Sequence, residues 1–347
     1  MIGERLKRAR DAANLSLRAL AELVDVSQTT ISKYEKETST PDSTMLLKLS
    51  RALGVKTEFF FRTDKFVLEN KEYRKRTISN IELRSIESKI LNLVEKRFEV
   101  ENLFPNPPME KFEVPYIESD EITKLKDIPS IADKLREVWK LGTDPITDLS
   151  DVLESKGIKV FMIDEDADNN FDGLAAIVND FHIIVISKNW PGDRQRFTLA
   201  HELGHLVLEG KLAAKIDEEK ASDRFAAAFL LPEAPLKKRL GIRRKKLEIA
   251  ELALIKEEFG VSMQAVFIRA NQVGIIEYTY SNTLWKRFKK EGWDVKEPGE
   301  EYPGEKIYIF KQLVLRALSE EYIGESKAAE LLGMSVRKFY NYRMTGN

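Results

Sequence analysis

RFTLAHELGHLVLE, residues 196 to 209, is a mostly apolar stretch that carries two of the three histidines in the chain. The spacing of its apolar residues predicts a buried helix. Residues four positions apart lie on one face of a helix, so His201 and His205 can direct their imidazole nitrogens at one point. This arrangement suits a tetrahedral zinc ion, whereas bare buried histidines would be unfavourable. The stretch therefore predicts a metal site built into a core helix.

Glu202 follows the first histidine and completes an HExxH pattern. In this pattern the glutamate takes a proton from a water molecule and is not a metal ligand. A site that only held or sensed a metal would need ligands but no such base. The pattern therefore predicts a zinc-dependent hydrolase with Glu202 as its catalytic residue.

Two histidines leave a zinc site one protein ligand short. DEEKASDRFAAAFLLP, residues 217 to 232, predicts an amphipathic helix with Glu219 and Asp223 one turn apart. Glu219 is the expected third ligand, with Glu218 as its main competitor. Asp223 is expected to accept the ring N–H of a ligating histidine. Taken alone, these acids would suit a solvated helix face. The ligand set accepts Zn2+ well, and Mn2+ or another divalent ion is also compatible with it.

Residues 15 to 35, LSLRALAELVDVSQTTISKYE, predict a helix, a tight turn and a second helix. Ser27 is expected to cap the second helix. Residues 1 to 62 carry 11 lysines and arginines against 8 acids, which modestly favours DNA. The alternative is a five-helix bundle used for dimerisation or for docking a partner. The side chains suited to base edges and phosphates are Gln28, Thr29, Thr30, Ser32 and Lys33.

Changes in composition along the 347 residues predict an α+β protein of four segments. We expect an all-α helix-turn-helix domain of five helices over 1–62, and a charged, exposed helical connector over 63–125. Because it contains the HExxH pattern, the segment 126–280 is expected to be a zincin-like metallopeptidase domain with a small β-sheet, and 281–347 is expected to be a helical region. The sheet should contain GIKVFMID and a hairpin of LAAIVN and HIIVIS that turns at Asp180 and Phe181.

The last segment contains KAAELLGMSVRKFYNYR, which also has helix, turn and helix character. Gly333 and Ser335 lie at the expected turn, as in a second helix-turn-helix. A pair of helices that binds another protein is at least as good an interpretation of this stretch.

Three motifs resemble the ImmA/IrrE family of metallopeptidases: DGLAAIV (172 to 178), RQRFTLAHELGHLVLE (194 to 209) and EKASDRFAAAFLLP (219 to 232). The resemblance implies that His201, His205 and Glu219 are zinc ligands and that Glu202 is the catalytic glutamate, as in gluzincins. Ser222 and Asp223 stand where Ala and Asn are commoner in the family. Asp223 still permits a hydrogen bond to a ligating histidine.

Residues 1 to 62 resemble the XRE (Cro/CI-type) helix-turn-helix family over their whole length. The resemblance includes the Arg5, Arg8 and Arg10 side of the first helix. Asp25 and Glu37 stand where the family often has glycine, and Asp tolerates a left-handed conformation better than most residues. The resemblance implies that the domain binds double-stranded DNA.

Together the two resemblances imply a regulatory zinc endopeptidase fused to a DNA-binding domain. The implied substrate is another protein, typically an XRE-type repressor whose cleavage releases genes from repression. One alternative is a transcriptional regulator of toxin–antitoxin or mobile-element type, whose metallopeptidase domain senses or docks without turnover. Another is self-cleavage within the connector. HIIVIS is expected to offer a strand edge to an extended substrate. Candidates for stabilising the oxyanion are His182, Arg194, Arg196 and Tyr278.

The composition of the chain indicates which partners and compartment the protein is suited to. The chain is 43% hydrophobic and 33% charged, with a net charge of -1, so no overall charge favours nucleic acid or a membrane surface. The absence of cysteine excludes disulfides and thiolate ligands and fits a reducing compartment. No apolar run approaches the roughly 18 residues of a membrane span, and MIGERLKRARD lacks a signal core. We expect a cytoplasmic protein without a membrane partner, in which a homodimer would match a two-fold DNA site.

Overall fold

The computed structural model describes residues 2–63, 66–73, 79–106, 111–117, 121–164 and 171–346. Within these ranges a small mixed sheet lies among helices, which confirms the predicted α+β class. None of the helices in the described ranges is long and apolar enough to cross a membrane.

The N-terminal domain consists of four α-helices followed by a short 3-10 helix, as predicted. Side chains of Ser16, Ser27 and Asp42 each accept a hydrogen bond from a backbone N–H in the first turn of the helix that follows. Asp25 ends one helix in the left-handed conformation, with φ at 59°. The helices are α1 (Ile2–Ala12), α2 (Leu17–Val24), α3 (Gln28–Glu35) and α4 (Ser43–Leu53), and the 3-10 helix is Thr57–Phe61.

The described strands form one sheet in the order β1-β3-β4-β2. β3 pairs antiparallel with β1 and β4, and β4 pairs parallel with β2. The predicted hairpin is confirmed, but it turns at Asn179 and Asp180, one residue earlier than expected. Both residues have positive φ, which matches the twist of a two-residue hairpin loop. The strands are β1 (Glu69–Tyr73), β2 (Lys159–Ile163), β3 (Gly173–Val178) and β4 (Phe181–Ser187).

β4, the HIIVIS strand, is an interior strand. It hydrogen-bonds to β3 on one side and to β2 on the other. The expectation that this strand offers an edge to a substrate is therefore wrong, because its backbone groups are already used within the sheet. Within the described part of the chain, β1 and β2 form the two edges.

Helix α5 (Asn80–Glu101) runs through the predicted connector, and one of its faces is buried. Ile86, Ile90 and Val94 are fully buried against one face of the sheet, together with residues such as Leu174 and Val185. The helical character is confirmed, but the expectation of an exposed connector is wrong. The apolar residues at every third or fourth position form the stripe of a core helix, and the charges between them made the segment look solvated.

The opposite face of the sheet packs against the remaining helices of the central region. Ala175, Ile184 and Ile186 alternate with the residues that face α5 and contribute to this larger core. The helices in and beyond this region are α6 (Ile128–Val138), α7 (Leu149–Ser155), α8 (Gly192–Leu208), α9 (Glu218–Leu230), α10 (Glu233–Leu240), α11 (Ile249–Phe259), α12 (Met263–Gln272), α13 (Tyr278–Lys290), α14 (Ile309–Ser319), α15 (Glu325–Leu331) and α16 (Val336–Thr345).

The buried face of α5 can be tested by truncating one of its side chains. We expect Ile90→Ala to lower the free energy of unfolding by roughly 2–5 kcal/mol, because it removes buried methyl groups and leaves a cavity. Ile81→Ala is the matched control on the same helix, since Ile81 is 72% exposed; its effect should stay within about 0.5 kcal/mol. Urea unfolding of both variants measures the difference, and equal effects would contradict the assigned burial.

Candidate metal centre

Close contact between α8 and α9 positions the site. A Cβ added at Gly204 would lie 3.1 Å from Phe225 Cδ1 and 3.2 Å from Ser222 Cα. Ser222 is itself fully buried. Small residues at the crossing therefore let the two helices approach closely, which brings the first turns of α9 alongside the histidines of α8.

Three side chains from these helices converge on one point. His201 Nε2 lies 3.0 Å from His205 Nε2. Glu219 places one carboxylate oxygen 3.5 Å from His201 Nε2 and the other 3.8 Å from His205 Nε2. Two ligands of a tetrahedral zinc ion lie about 3.3 Å apart, given metal–ligand distances of about 2.0–2.1 Å. The observed separations therefore fit a small divalent cation held by two imidazoles and one carboxylate.

The neighbouring acid, Glu218, lies on the other side of His205. Its carboxylate is 3.7 Å from His205 Nδ1, the ring nitrogen that does not face His201. Asp217 caps α9 by accepting a hydrogen bond from the backbone N–H of Lys220, so both acids lie in the first turn of the helix. Of the two, Glu219 is the acid that faces both Nε2 atoms.

Asp223 lies one turn further along α9, and its carboxylate is 2.8 Å from His201 Nδ1. A carboxylate at this position accepts the Nδ1–H of the ring and leaves the lone pair of Nε2 for a metal. Burial lowers the pKa of His205, and the neighbouring His201 lowers it further. Both effects favour the neutral imidazole, which is the form that binds metals.

Glu202 is buried, with only 1% of its surface exposed. It faces the start of β3, where a Cβ added at Gly173 would lie 3.5 Å from Glu202 Oε1 and would clash with Thr198 Cγ2. Gly173 therefore lets the strand approach α8 beside the glutamate. Asp172 and Gly173, which begin the DGLAAIV motif, lie at this contact. Sequence reasoning gave the glycine no role.

The four candidates for oxyanion stabilisation differ in their surroundings. Arg196 is fully buried and forms an ion pair with Glu305 at 2.7 Å. Arg194 pairs with Asp172. His182 and Tyr278 are the remaining candidates: the first has a pKa lowered by burial, and the second is 72% exposed at the start of α13. The Arg196 ion pair favours a structural role for that residue.

The wall of a cleft of about 670 Å³ includes Asp223, the residue that contacts His201 Nδ1. Three of the four tryptophans of the chain line it: Trp190, Trp285 and Trp293. Sequence reasoning missed this feature, because these residues lie up to about a hundred positions apart and share no motif. Large apolar walls with a few charged groups are typical of a ligand-binding site.

The predicted DNA-contacting residues lie on α3. Gln28, Thr29 and Lys33 are exposed, whereas Thr30 and Ser32 are half-buried. The Thr30 hydroxyl is 2.9 Å from the Ser27 hydroxyl, and its backbone N–H donates to the same oxygen, so Thr30 also belongs to the helix cap.

The arginines of α1 make contacts within the protein. Arg5 and Arg8 pair with the buried Glu95 of α5, at 2.6 and 3.0 Å. Arg10 pairs with Glu35 at 2.6 Å. The arginine side of the first helix therefore holds the N-terminal domain together and against α5.

Comparison with known families agrees with both resemblances. Residues 153–271 match the IrrE N-terminal-like domain of peptidase family M78. Residues 6–60 match a helix-turn-helix family. The chain therefore combines a helix-turn-helix domain with an IrrE N-terminal-like metallopeptidase domain.

Two curated relatives are helix-turn-helix regulators of Bacillus subtilis (strain 168). The HTH-type transcriptional regulator ImmR is 33% identical over 69 residues, which cover 20% of this chain and 54% of that protein. The SPbeta prophage-derived uncharacterized HTH-type transcriptional regulator YonR is 37% identical over 62 residues, which cover 18% and 57%. The chain thus spans little more than half the length of the curated relatives it matches.

The assignment of the third ligand can be tested by metal content. We expect Glu219→Ala to lose bound zinc, because only two imidazoles would remain, and Glu218→Ala to keep it. Mass spectrometric metal analysis of both purified variants, after dialysis against a weak chelator, gives the stoichiometry. Loss of zinc in the Glu218 variant with retention in the Glu219 variant would reverse the assignment.

Proposed function

We propose that this protein is a DNA-binding regulatory endopeptidase that uses a divalent cation, best matched by zinc, to hydrolyse a peptide bond in another protein. The observation that carries the proposal is the position of Glu202. This acid is buried beside three converging metal-ligand side chains and is not one of them. A site that only binds a metal needs no such carboxylate.

Each residue of the centre has a proposed role. His201, His205 and Glu219 would hold the cation, and Asp223 would fix the tautomer of His201 through its 2.8 Å contact with Nδ1. A cation bound there would supply Lewis acidity toward water and toward the carbonyl of the scissile bond. Glu202 takes the proton of the attacking water and returns it to the leaving amine.

The neighbouring cleft suits the side chains that flank a scissile bond. Trp190, Trp285 and Trp293 offer apolar contact area, and Phe197 of α8 adds to it. Because Asp223 lies both in the cleft wall and against His201, a side chain held in this cleft would lie next to the metal-ligand cluster. A peptide with large apolar or aromatic residues near the cleaved bond would bury the most surface there.

We propose an XRE-type repressor as the substrate, in keeping with the ImmA/IrrE resemblance. The proposed DNA-binding segment is 1–62, with Gln28, Thr29, Thr30, Ser32 and Lys33 as its reading residues. Binding of this domain near a repressor on DNA would raise the local concentration of protease at its target. The remaining proposed segments are the helical connector over 63–125, the metallopeptidase domain over 126–280 and the helical C-terminal region over 281–347.

The experiment that tests this function compares protein N-termini in host cells that carry either the wild type or Glu202→Gln. The substitution preserves size and metal ligands but removes the base, so we expect a new N-terminus in a helix-turn-helix repressor only with the wild type. Glu257→Gln, an exposed acid on α11, is the matched control and should behave as the wild type.

Two other outcomes would overturn parts of the proposal. A new N-terminus within residues 63–125 of this chain, dependent on Glu202, would replace the external substrate with self-cleavage. Matching N-termini in wild type and Glu202→Gln under several stresses would contradict peptidase activity, and the metal centre would then be a sensor or a docking site.

A further inference from the structure

The C-terminal helices α14, α15 and α16 form a unit with its own apolar core. Its buried residues include Val314, Ala317 and Phe339, and it packs against the end of α5 through Val100 and Phe104. Sequence reasoning left this unit open between a second helix-turn-helix and a protein-binding helix pair. The geometry of its turn, together with the side chains that α16 exposes, favours the first of the two.

The turn between α15 and α16 repeats the turn between α2 and α3 residue by residue. Asp25 and Gly333 are 308 positions apart, and both have left-handed φ, at 59° and 66°. Two residues later Ser27 and Ser335 cap the following helix. Their hydroxyls accept hydrogen bonds from the backbone N–H of Thr30 at 3.1 Å and of Lys338 at 3.2 Å.

The packing around the two turns also matches at the same offset. Ala21 and Ala329 are both buried, and their carbonyls accept hydrogen bonds from Val26 N–H at 3.0 Å and from Met334 N–H at 2.8 Å. Small residues here let the first helix of each pair cross the second closely.

The second helix of each pair is anchored in the same way. Ile31 and Phe339, six residues after the left-handed residue, are both buried under their helices. The register of the exposed face of α16 is therefore that of α3.

This register decides which side chains α16 exposes. Arg337, Lys338, Tyr340 and Asn341 take the positions of Thr29, Thr30, Ser32 and Lys33, and all four of the α16 residues are exposed. Among the described residues neither Arg337 nor Lys338 has an ion-pair partner, whereas Arg343 pairs with Glu325. Arginine and asparagine are the side chains best suited to guanine and adenine edges, and lysine to phosphates.

We propose that α15 and α16 form a second DNA-binding helix-turn-helix, with α16 as its recognition helix, so that one chain contacts two segments of duplex DNA. Residues 309–346 carry 6 lysines and arginines against 4 acids, a balance compatible with this partner. The inference goes beyond the proposed function, since it requires neither the metal nor peptide cleavage.

Both helix-turn-helix units are fixed to α5. Arg5 and Arg62 of the first pair with Glu95, and Lys327 of the second pairs with Glu99 one turn along, at 2.5 Å. Lys56 and Glu330 join the two units directly. Because the units share one support, we expect the two DNA segments to be bound at a fixed separation.

The test uses full-length protein and selection of duplexes from a random pool, followed by binding measurements at several salt concentrations. Wild type is expected to select two sequence elements. Arg337→Ala/Lys338→Ala should lose one element and bind the full site roughly 10-fold to 100-fold more weakly. The slope of log affinity against log salt should fall in magnitude by about 1–2.

Two comparisons make the result specific. Lys245→Ala/Lys246→Ala removes two exposed cations outside both units and should bind as wild type. Gln28→Ala/Lys33→Ala should lose the other element and keep the one read by α16. Thermal unfolding of each variant verifies that the fold is intact. We expect unchanged melting temperatures, because the substituted residues are exposed.

The proposal is wrong if wild type selects a single element that Arg337→Ala/Lys338→Ala binds unchanged. It is also wrong if that variant keeps both DNA elements but loses binding to a protein partner, because α16 would then be a protein-docking helix. Cleavage measured with Glu202→Gln is independent of either outcome, so the two proposals can fail separately.

Discussion

The crossing of α8 and α9 is the contact on which the candidate centre depends. Helix α8 buries two imidazoles and a carboxylate in the protein interior, which is unfavourable unless these groups are partnered. Gly204 and Ser222 allow the helices to approach closely enough for Glu219 and Asp223 to reach the histidines. A larger side chain at either position would separate the helices and leave the imidazoles without their carboxylates. The close packing of the two helices therefore also determines the geometry of the candidate metal site.

Helix α5 plays the corresponding role for the chain as a whole. Its apolar stripe covers one face of the sheet, its middle accepts the arginines of the N-terminal domain at Glu95, and its end packs against the C-terminal unit. Near that end, Glu101 pairs with Arg97 at 2.5 Å and with Lys159 of β2 at 2.6 Å, all three buried. Buried charges of this kind are tolerated only when they are paired, so they fix how α5 lies on the sheet. The three parts of the protein thus share one structural support.

This arrangement relates the candidate metal centre to the N-terminal domain and to the C-terminal unit. The candidate centre lies on the face of the sheet opposite α5, whereas the N-terminal domain and the C-terminal unit both attach to α5 itself. A change in the position of α5 on the sheet would therefore alter both sides at once.

The sequence by itself determined the features that depend on local geometry. Two histidines four residues apart share a helix face because of the helical period, Ser27 caps α3 through its own first turn, and the hairpin of β3 and β4 closes through two adjacent residues. Local patterns also located the helices of the N-terminal helix-turn-helix domain, the last two helices of the C-terminal unit and the amphipathic helix that carries the acids.

Only the tertiary structure decided which of these elements meet. Glu218 and Glu219 are adjacent in sequence, and the crossing of α9 over α8 determines which of them faces both Nε2 atoms. The interior position of β4 depends on its pairing with β2, which no local pattern specifies. The charged residues of α5 resemble a solvated face, because their partners Arg5 and Lys159 lie about 60 to 90 positions away in the chain. Local sequence fixes periodicity and caps, whereas long-range packing and charge pairing are settled only when distant segments come together.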